Sequence, residues 1–253
     1  MRSVFITGAA QGIGLATAKR FAREGWLVGL FDVNEARCIE LANAPEFPNA
    51  VAGFCDVTSV DSVKAALDKF ADASGHRLDV LVNNAGVLSS GDFGSMSLDE
   101  IHAMIDVNVK GLTTVSHAAF TLLKSTPGAV VVNLCSASSI HGIQWLAVYS
   151  ASKFYVNGFT QALNIEWQEH DIHVTCIKPP VINTSMGHQL DARHLKTMKM
   201  DNEPEDVAEN IFAMTQTKPL HFVMGATTSL WYWLTKLLPA AGGKRLVRLL
   251  IDE

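Results

Sequence analysis

The chain is 253 residues long, 48% of them apolar, with 20 lysines and arginines against 25 aspartates and glutamates and a formal charge of −5. That length carries an ample core for one large domain, and the acidic balance excludes the basic footprint of a nucleic-acid binder. Four cysteines, Cys38, Cys55, Cys135 and Cys176, have neither metal-knuckle nor disulfide spacing, so buried, reduced thiols are expected.

Met1-Arg2-Ser3 enters the apolar run Val4-Phe5-Ile6 at once. This leaves no room for the charged head, apolar segment and cleavage site of a signal peptide, and a cytoplasmic protein is expected. Candidate strands follow at Ser3–Thr7, Leu27–Phe31, Ala50–Cys55, Asp79–Val82, Ala129–Cys135, His173–Ile177 and Leu220–Val223. Runs such as Val130-Val131-Val132 are apolar on successive residues, which indicates strands buried on both faces. Helical spacing occupies 13–24, 34–43, 59–73, 97–124, 148–169 and 205–216. The alternation predicts an α/β fold, a doubly wound Rossmann-type parallel sheet with helices on both faces. No linker divides it, so 1–253 is read as a single domain with 229–253 as its apolar C-terminal extension. The uncharged stretch between Lys124 and Lys153 is broken by Pro127, Gly128, Asn133 and Gly142, and reads as buried interior and not as a membrane span.

Between the first strand and first helix lies Thr7-Gly8-Ala9-Ala10-Gln11-Gly12-Ile13-Gly14. Glycines there let the backbone turn sharply and approach a pyrophosphate, and the helix N-terminus offers unpaired N–H groups. Eighteen residues after Gly14, Asp32 ends the second strand, where a carboxylate can accept from ribose hydroxyls and would repel a 2′-phosphate. NAD is favoured over NADP, with Arg37 the one nearby cation that would soften the preference. An ordinary turn and a surface carboxylate are the plainer alternatives.

Tyr149 and Lys153 stand four apart at the start of a helix and so share a face. A tyrosine near its ordinary pKa of about 10 is a poor base at neutral pH, and a neighbouring ammonium is expected to lower it. Ser136, thirteen residues upstream, follows an apolar strand, and ligands gather at the carboxyl ends of parallel strands. Asp79–Gly86 is likewise a strand running into a small polar turn, Asn83-Asn84-Ala85-Gly86.

With these motifs in this order, the chain from residue 3 to about 185 resembles the short-chain dehydrogenase/reductase family. Thr7–Gly14 resembles its TGxxxGIG loop, Asp56-Val57 its adenine-contacting pair and Asn83–Gly86 its NNAG turn. The resemblance implies a catalytic set of Asn108, Ser136, Tyr149 and Lys153. Tyr149 would be the general acid/base, Ser136 would position the substrate oxygen, Lys153 would hold the nicotinamide ribose and depress the Tyr149 pKa, and Asn108 would help hold a water beside Lys153. It implies cofactor contacts from Gly8, Gln11, Gly12, Ile13, Gly14, Asp32, Asp56, Val57, Asn83, Ala85, Gly86, Tyr149, Lys153, Ile182 and Thr184. One departure stands out: Pro179-Pro180-Val181-Ile182-Asn183-Thr184 has proline where the family has glycine, which puts the path of that turn in question.

Substrate choice is expected to come from the loop after Thr184, the turn after Ser136 and the C-terminus. His188 and His194 with Asp191 between them fit no standard metal set, and a substrate-capping or solvated loop is the reading, with no metal. From Ser229 the tail is aromatic and leucine-rich, with four basic and two acidic side chains from Lys236 onward. A helix folded over the substrate pocket or into a subunit interface is favoured over an amphipathic membrane contact. The expected activity is hydride transfer between NAD(H) and a hydrophobic secondary alcohol or ketone, steroid-like or similar, in a homodimer or homotetramer. The alternatives are small aliphatic or aromatic alcohols or dihydrodiols, or a non-catalytic NAD(H)-binding sensor.

Overall fold

The computed structural model describes residues 1–191 and 200–237. Strand and helix alternate from the start: β1 Ser3–Thr7, α1 Gly12–Arg23, β2 Leu27–Asp32, α2 Glu35–Ala42, β3 Ala50–Phe54, α3 Val60–Ser74 and β4 Val80–Asn83. There follow α4 Leu98–Ile105, α5 Leu112–Lys124, β5 Val130–Leu134, α6 Ala147–Glu166, β6 His173–Lys178, α7 Pro204–Thr217, β7 His221–Val223 and α8 Ala226–Leu237. The seven strands form one sheet in the order β3-β2-β1-β4-β5-β6-β7, each parallel to its neighbours.

Consecutive apolar residues fit this sheet because both faces are covered. Val4, Ile6, Val28, Leu30, Val80 and Val132 point to one side, against Phe21 of α1, Leu41 of α2 and Ile211 of α7. Phe5, Phe31, Leu81, Val131 and Val174 point to the other, against Phe70 of α3, Val115 of α5 and Leu163 of α6. Each such side chain fully buried stabilises the fold by about 1.5–3 kcal/mol before entropy is counted, which is why the strands could be read without alternation.

The segment 97–124, expected as one helix, is two. Ser97 caps α4 with a reciprocal bond to Glu100, and α4 and α5 are separated by a π-helical turn, Asp106–Gly111. Such a turn inserts a residue and shifts the buried face around the axis, and its buried positions here are Asn108 and Gly111, which an apolar spacing does not register. The strand order reverses between β1 and β4, and the ends of these two strands open the crevice in which this class of sheet binds ligands. Among the described residues no helix is long and apolar enough to cross a membrane, and no cluster of three metal-ligating side chains occurs. All four cysteines are free and buried.

Candidate active site

A cavity of about 880 Å³ runs along the carboxyl ends of the strands. At one end its wall is Gly8, Gln11, Gly12, Ile13, Asp32, Asp56 and Val57, with Thr184 across from Gly12; at the other it is Ser136, Tyr149 and the apolar side chains Ile143, Leu146, Leu190 and Trp231, and Ile182 also lines it.

The glycine loop is built for close approach. Gly8 has a left-handed φ of +67°, and a Cβ there would sit 2.9 Å from the Ala85 Cα. A Cβ on Gly14 would collide with the Gly8 carbonyl oxygen, so Gly14 packs the helix against the loop and does not line the cavity. Asn84 holds the loop from the far side, its Nδ2 donating to the carbonyls of Thr7 and Gly8 at 3.0 and 2.9 Å. The Thr7 hydroxyl in turn accepts from the N–H groups of Asn84 and Ala85, both at 3.1 Å. The N-cap of α1, Gln11, makes no side-chain capping bond and the first turn holds no acidic residue, leaving its N-terminal donors to the cavity.

Asp32 stands at the cavity wall with its carboxylate fixed by the N–H groups of Ala10 and Asn34, at 3.1 and 2.9 Å. Arg37 is turned away to Glu40. The Asp56 carboxylate accepts from the Thr58 N–H and hydroxyl at 2.9 and 2.7 Å, which fixes the turn that carries Val57. Ala85 and Gly86 line the cavity, whereas Asn83 does not. The Asn83 amide is buried within the sheet, donating to Ser116 Oγ at 3.0 Å and Asn133 Oδ1 at 2.8 Å. The side chain facing away from the core in this motif is its neighbour Asn84, a residue the sequence quoted but did not assign. β4 is buried on both faces, so no alternation in the sequence singles Asn84 out.

At the reactive end, Ser136 begins a 3-10 turn, its hydroxyl accepting from the Ser138 N–H at 3.1 Å. Tyr149 and Lys153 lie in the first two turns of α6, and both line the cavity. Lys153 Nζ donates to the Leu134 carbonyl at 2.8 Å, with its nitrogen 5.5 Å from the Tyr149 ring centroid. The expected depression of the tyrosine pKa is not found. Burial pushes Tyr149 up, from 10 to about 12, against the opposing pull of its bond to Ser136, and Lys153 is not among the causes. Burial likewise draws the Lys153 ammonium below its ordinary value. The shared helix face therefore brings the two side chains together, but the Leu134 carbonyl takes the ammonium. Cys135, next to Ser136, is buried and its thiol donates to the Lys153 carbonyl at 3.3 Å, which suits a packing role.

Asn108 lies in the π-helical turn, buried behind the wall. Its Oδ1 accepts from the Val87 N–H at 2.9 Å, and its Nδ2 donates to the Val87 carbonyl at 2.9 Å and Ser152 Oγ at 3.2 Å. A Cβ on Gly86 would stand 3.3 Å from Asn108 Oδ1 and 3.9 Å from Lys153 Nζ, so the two side chains flank one glycine.

The turn after β6 that carries the double proline is tied to its surroundings by backbone contacts. The Pro179 carbonyl accepts from the Ala137 N–H at 2.9 Å, and Ile182 bridges to Asn202. Thr184 comes to rest against the glycine loop, its Cγ2 3.5 Å from where a Gly12 Cβ would be. His188 Nε2 pairs with Asn183 Oδ1 at 2.9 Å, while His194 lies outside the described residues. On α8, Trp231 packs with Ile143, Leu146, Leu190 and Tyr149, as the pocket-covering alternative expects. Leu230, Trp233 and Leu237 of the same helix are exposed, and the rest of the tail, 238–253, is outside the described residues.

The family described as short chain dehydrogenase matches residues 2–195. Sulfoacetaldehyde reductase 2 of Chromohalobacter salexigens is 36% identical over 229 residues, covering 86% of this chain and 89% of its own. D-threitol dehydrogenase of Mycolicibacterium smegmatis is 33% identical over 189 residues, covering 73% and 71%. A crystal structure of 3-ketoacyl-(acyl-carrier-protein) reductase from Brucella melitensis complexed with NADH superposes with a TM-score of 0.80 at 26% identity, over 88% of this chain and 96% of that one. A match over most of the length, laid on this strand order and this cavity, makes the chain a member of the short chain dehydrogenase family and an oxidoreductase of that family.

Proposed function

We propose that the protein transfers a hydride between NAD(H) and a secondary alcohol or ketone with an apolar body, with Tyr149 as general acid/base. The observation that carries this reading is one cavity with the glycine loop and Asp32 at one end and Ser136, Tyr149 and Lys153 at the other. The residues fit a dinucleotide: a loop turned sharply by the left-handed Gly8 and an uncapped helix N-terminus suit a pyrophosphate. Gly8, Gln11, Gly12, Ile13, Asp32, Asp56, Val57, Ala85, Gly86, Lys153, Ile182 and Thr184 would hold it, with Gly14 and Asn83 acting from behind the wall. When bound, the nicotinamide supplies the hydride chemistry.

This chain's own residues bind, orient and move a proton. Tyr149, kept as a phenol by burial, is ready to give its proton to a carbonyl oxygen. Ser136 holds the same oxygen, and Lys153 and Asn108 fix the floor beneath them. Ile143, Leu146, Leu190 and Trp231 provide apolar contact and exclude water from the reacting atoms.

Asp32 favours NAD, since a fixed carboxylate repels a 2′-phosphate and Arg37, paired with Glu40, offers no compensation. The test is absorbance at the reduced-nicotinamide band with a panel of ketones and alcohols. NADH is expected to support faster turnover than NADPH, and Asp32→Ala to narrow the gap. Equal use of both by the unaltered protein would sink the cofactor assignment. Tight NADH binding with no turnover on any member of the panel would favour a sensor.

A further inference from the structure

Helix α8 has two unlike faces. Its inner face is packed: Thr228 is buried, Trp231 joins the cluster of Ile143, Leu146 and Leu190, and Tyr232 lies against Lys178 and His221. On the outer face Leu230, Trp233 and Leu237 are 61%, 63% and 79% exposed. At about 100° of turn per residue these three fall within roughly 60° of one another, so they form one apolar stripe on a helix anchored by its other side. A single exposed leucine is ordinary, whereas large apolar side chains exposed side by side mark a contact surface. Lys236 flanks the stripe, exposed, its nitrogen 5.6 Å from the Tyr232 ring centroid, and 226–237 contains no acidic residue.

Charge decides what the stripe meets. The chain as a whole is −5, yet the residues from Lys236 onward carry four basic and two acidic side chains, with Lys244, Arg245 and Arg248 set among leucines and a valine. A second copy of the chain would lay one cationic stripe against another, and three side chains fall well short of the roughly 800 Å² per partner that a stable interface buries. An anionic lipid surface offers an apolar layer beneath a negative one, with tryptophan favoured at the boundary between them. We propose that the outer face of α8, with the basic residues that follow it in the chain, is a docking surface for an anionic phospholipid bilayer, on which the helix lies flat with Leu230, Trp233 and Leu237 immersed. This is contact with one leaflet, in keeping with the lack, among the described residues, of a helix able to cross. Covering the pocket and touching lipid, alternatives when only the sequence is read, belong to opposite faces of one helix.

The full-length protein is floated with vesicles of phosphatidylcholine alone and of phosphatidylcholine with an equal share of phosphatidylglycerol, and tryptophan emission is recorded on the same mixtures. Binding to the anionic vesicles is expected to be roughly tenfold or more the stronger and to weaken as salt is raised, since each basic residue near an anionic surface is worth about a fivefold gain. Emission should move to the blue on binding. That shift should vanish in Trp233→Phe, which keeps an aromatic ring on the stripe and so keeps the binding. The triple variant Leu230→Gln/Trp233→Gln/Leu237→Gln should lose vesicle binding with its Tm unmoved, because all three side chains are exposed. Lys244→Gln/Arg245→Gln/Arg248→Gln should lose the preference for anionic vesicles. No binding to either vesicle, equal binding to both, or a triple variant that still binds overturns the proposal. So does a triple variant whose sedimenting mass falls in the absence of lipid, which would make the stripe a seat for a second copy. If the triple variant does not fold, Trp233→Phe decides: a blue shift that persists in it overturns the assignment, and one that disappears while binding remains supports it. None of these readouts uses turnover, so failure here and failure of the reaction assignment are told apart.

Discussion

Tyr149→Phe is expected to lower turnover by about 100- to 10,000-fold, the share general acid/base catalysis contributes, while dinucleotide binding stays nearly intact. The substituted ring keeps its packing against Ile143, Leu146, Leu190 and Trp231, so the loss isolates the phenolic oxygen. Steady-state rates beside NADH titration of the same preparation make the comparison, and retention of a substantial share of the rate would remove Tyr149 from its role. The pH dependence follows from the direction of its pKa. Burial raises it to about 12, so over the neutral range the side chain is a phenol, ready to give a proton and poor at taking one. Ketone reduction should therefore be flat through neutrality and fall only on the alkaline side, whereas alcohol oxidation should climb with pH. An ultraviolet tyrosinate titration of the protein minus the Tyr149→Phe variant should show no ionisation near neutrality. A step there would mean that Lys153 governs the phenol after all.

Gly14→Ala is the substitution expected to do most harm to the binding end. Its Cβ would overlap the Gly8 carbonyl oxygen and come within 2.5 Å of Asn84 Nδ2. Neither can move aside cheaply, because Asn84 is bonded to the Thr7 and Gly8 carbonyls that shape the loop. Overpacking of this kind costs about 1–3 kcal/mol, which for a chain of this size lowers Tm by roughly 2–4 °C per kcal/mol. Displacing the loop should weaken NADH binding further than the stability loss alone explains. Thermal unfolding and NADH titration together test it. Unfolding and affinity both equal to the unaltered protein would show that the loop is not held as described.

The seven strands were legible because each is covered on both sides, which writes uninterrupted apolar runs into the sequence. Their ends were less so. Lys178 reads as a residue beyond the sheet, yet it ends β6 fully buried, its nitrogen 5.0 Å from the ring centroid of Tyr232 on α8. That contact joins distant parts of the chain, and no local pattern encodes it. The π-helical turn that carries Asn108 was hidden for a different reason, since its buried positions, Asn108 and Gly111, are not the large apolar residues from which helical spacing is read. Ser136, Tyr149 and Lys153 were readable from a strand end and a helical interval. The interval fixes a shared face but not where a four-carbon side chain ends, and the Leu134 carbonyl decided that. The turn after Ser136, the loop after Thr184 and the C-terminal segment were the regions expected to shape the substrate end, but only the closed fold shows that Ile143, Leu190 and Trp231 are the side chains from them that face the same space.

That space is walled by residues from Gly8 to Trp231, contributed by the first loop of the chain and by α8. Unfolding of either end therefore destroys it, and occupancy and global stability become linked quantities. A ligand held a hundredfold above its Kd would add about 2.7 kcal/mol to the unfolding free energy. The melting transition of this protein thus reports on whatever occupies the cavity, whether or not a reaction follows.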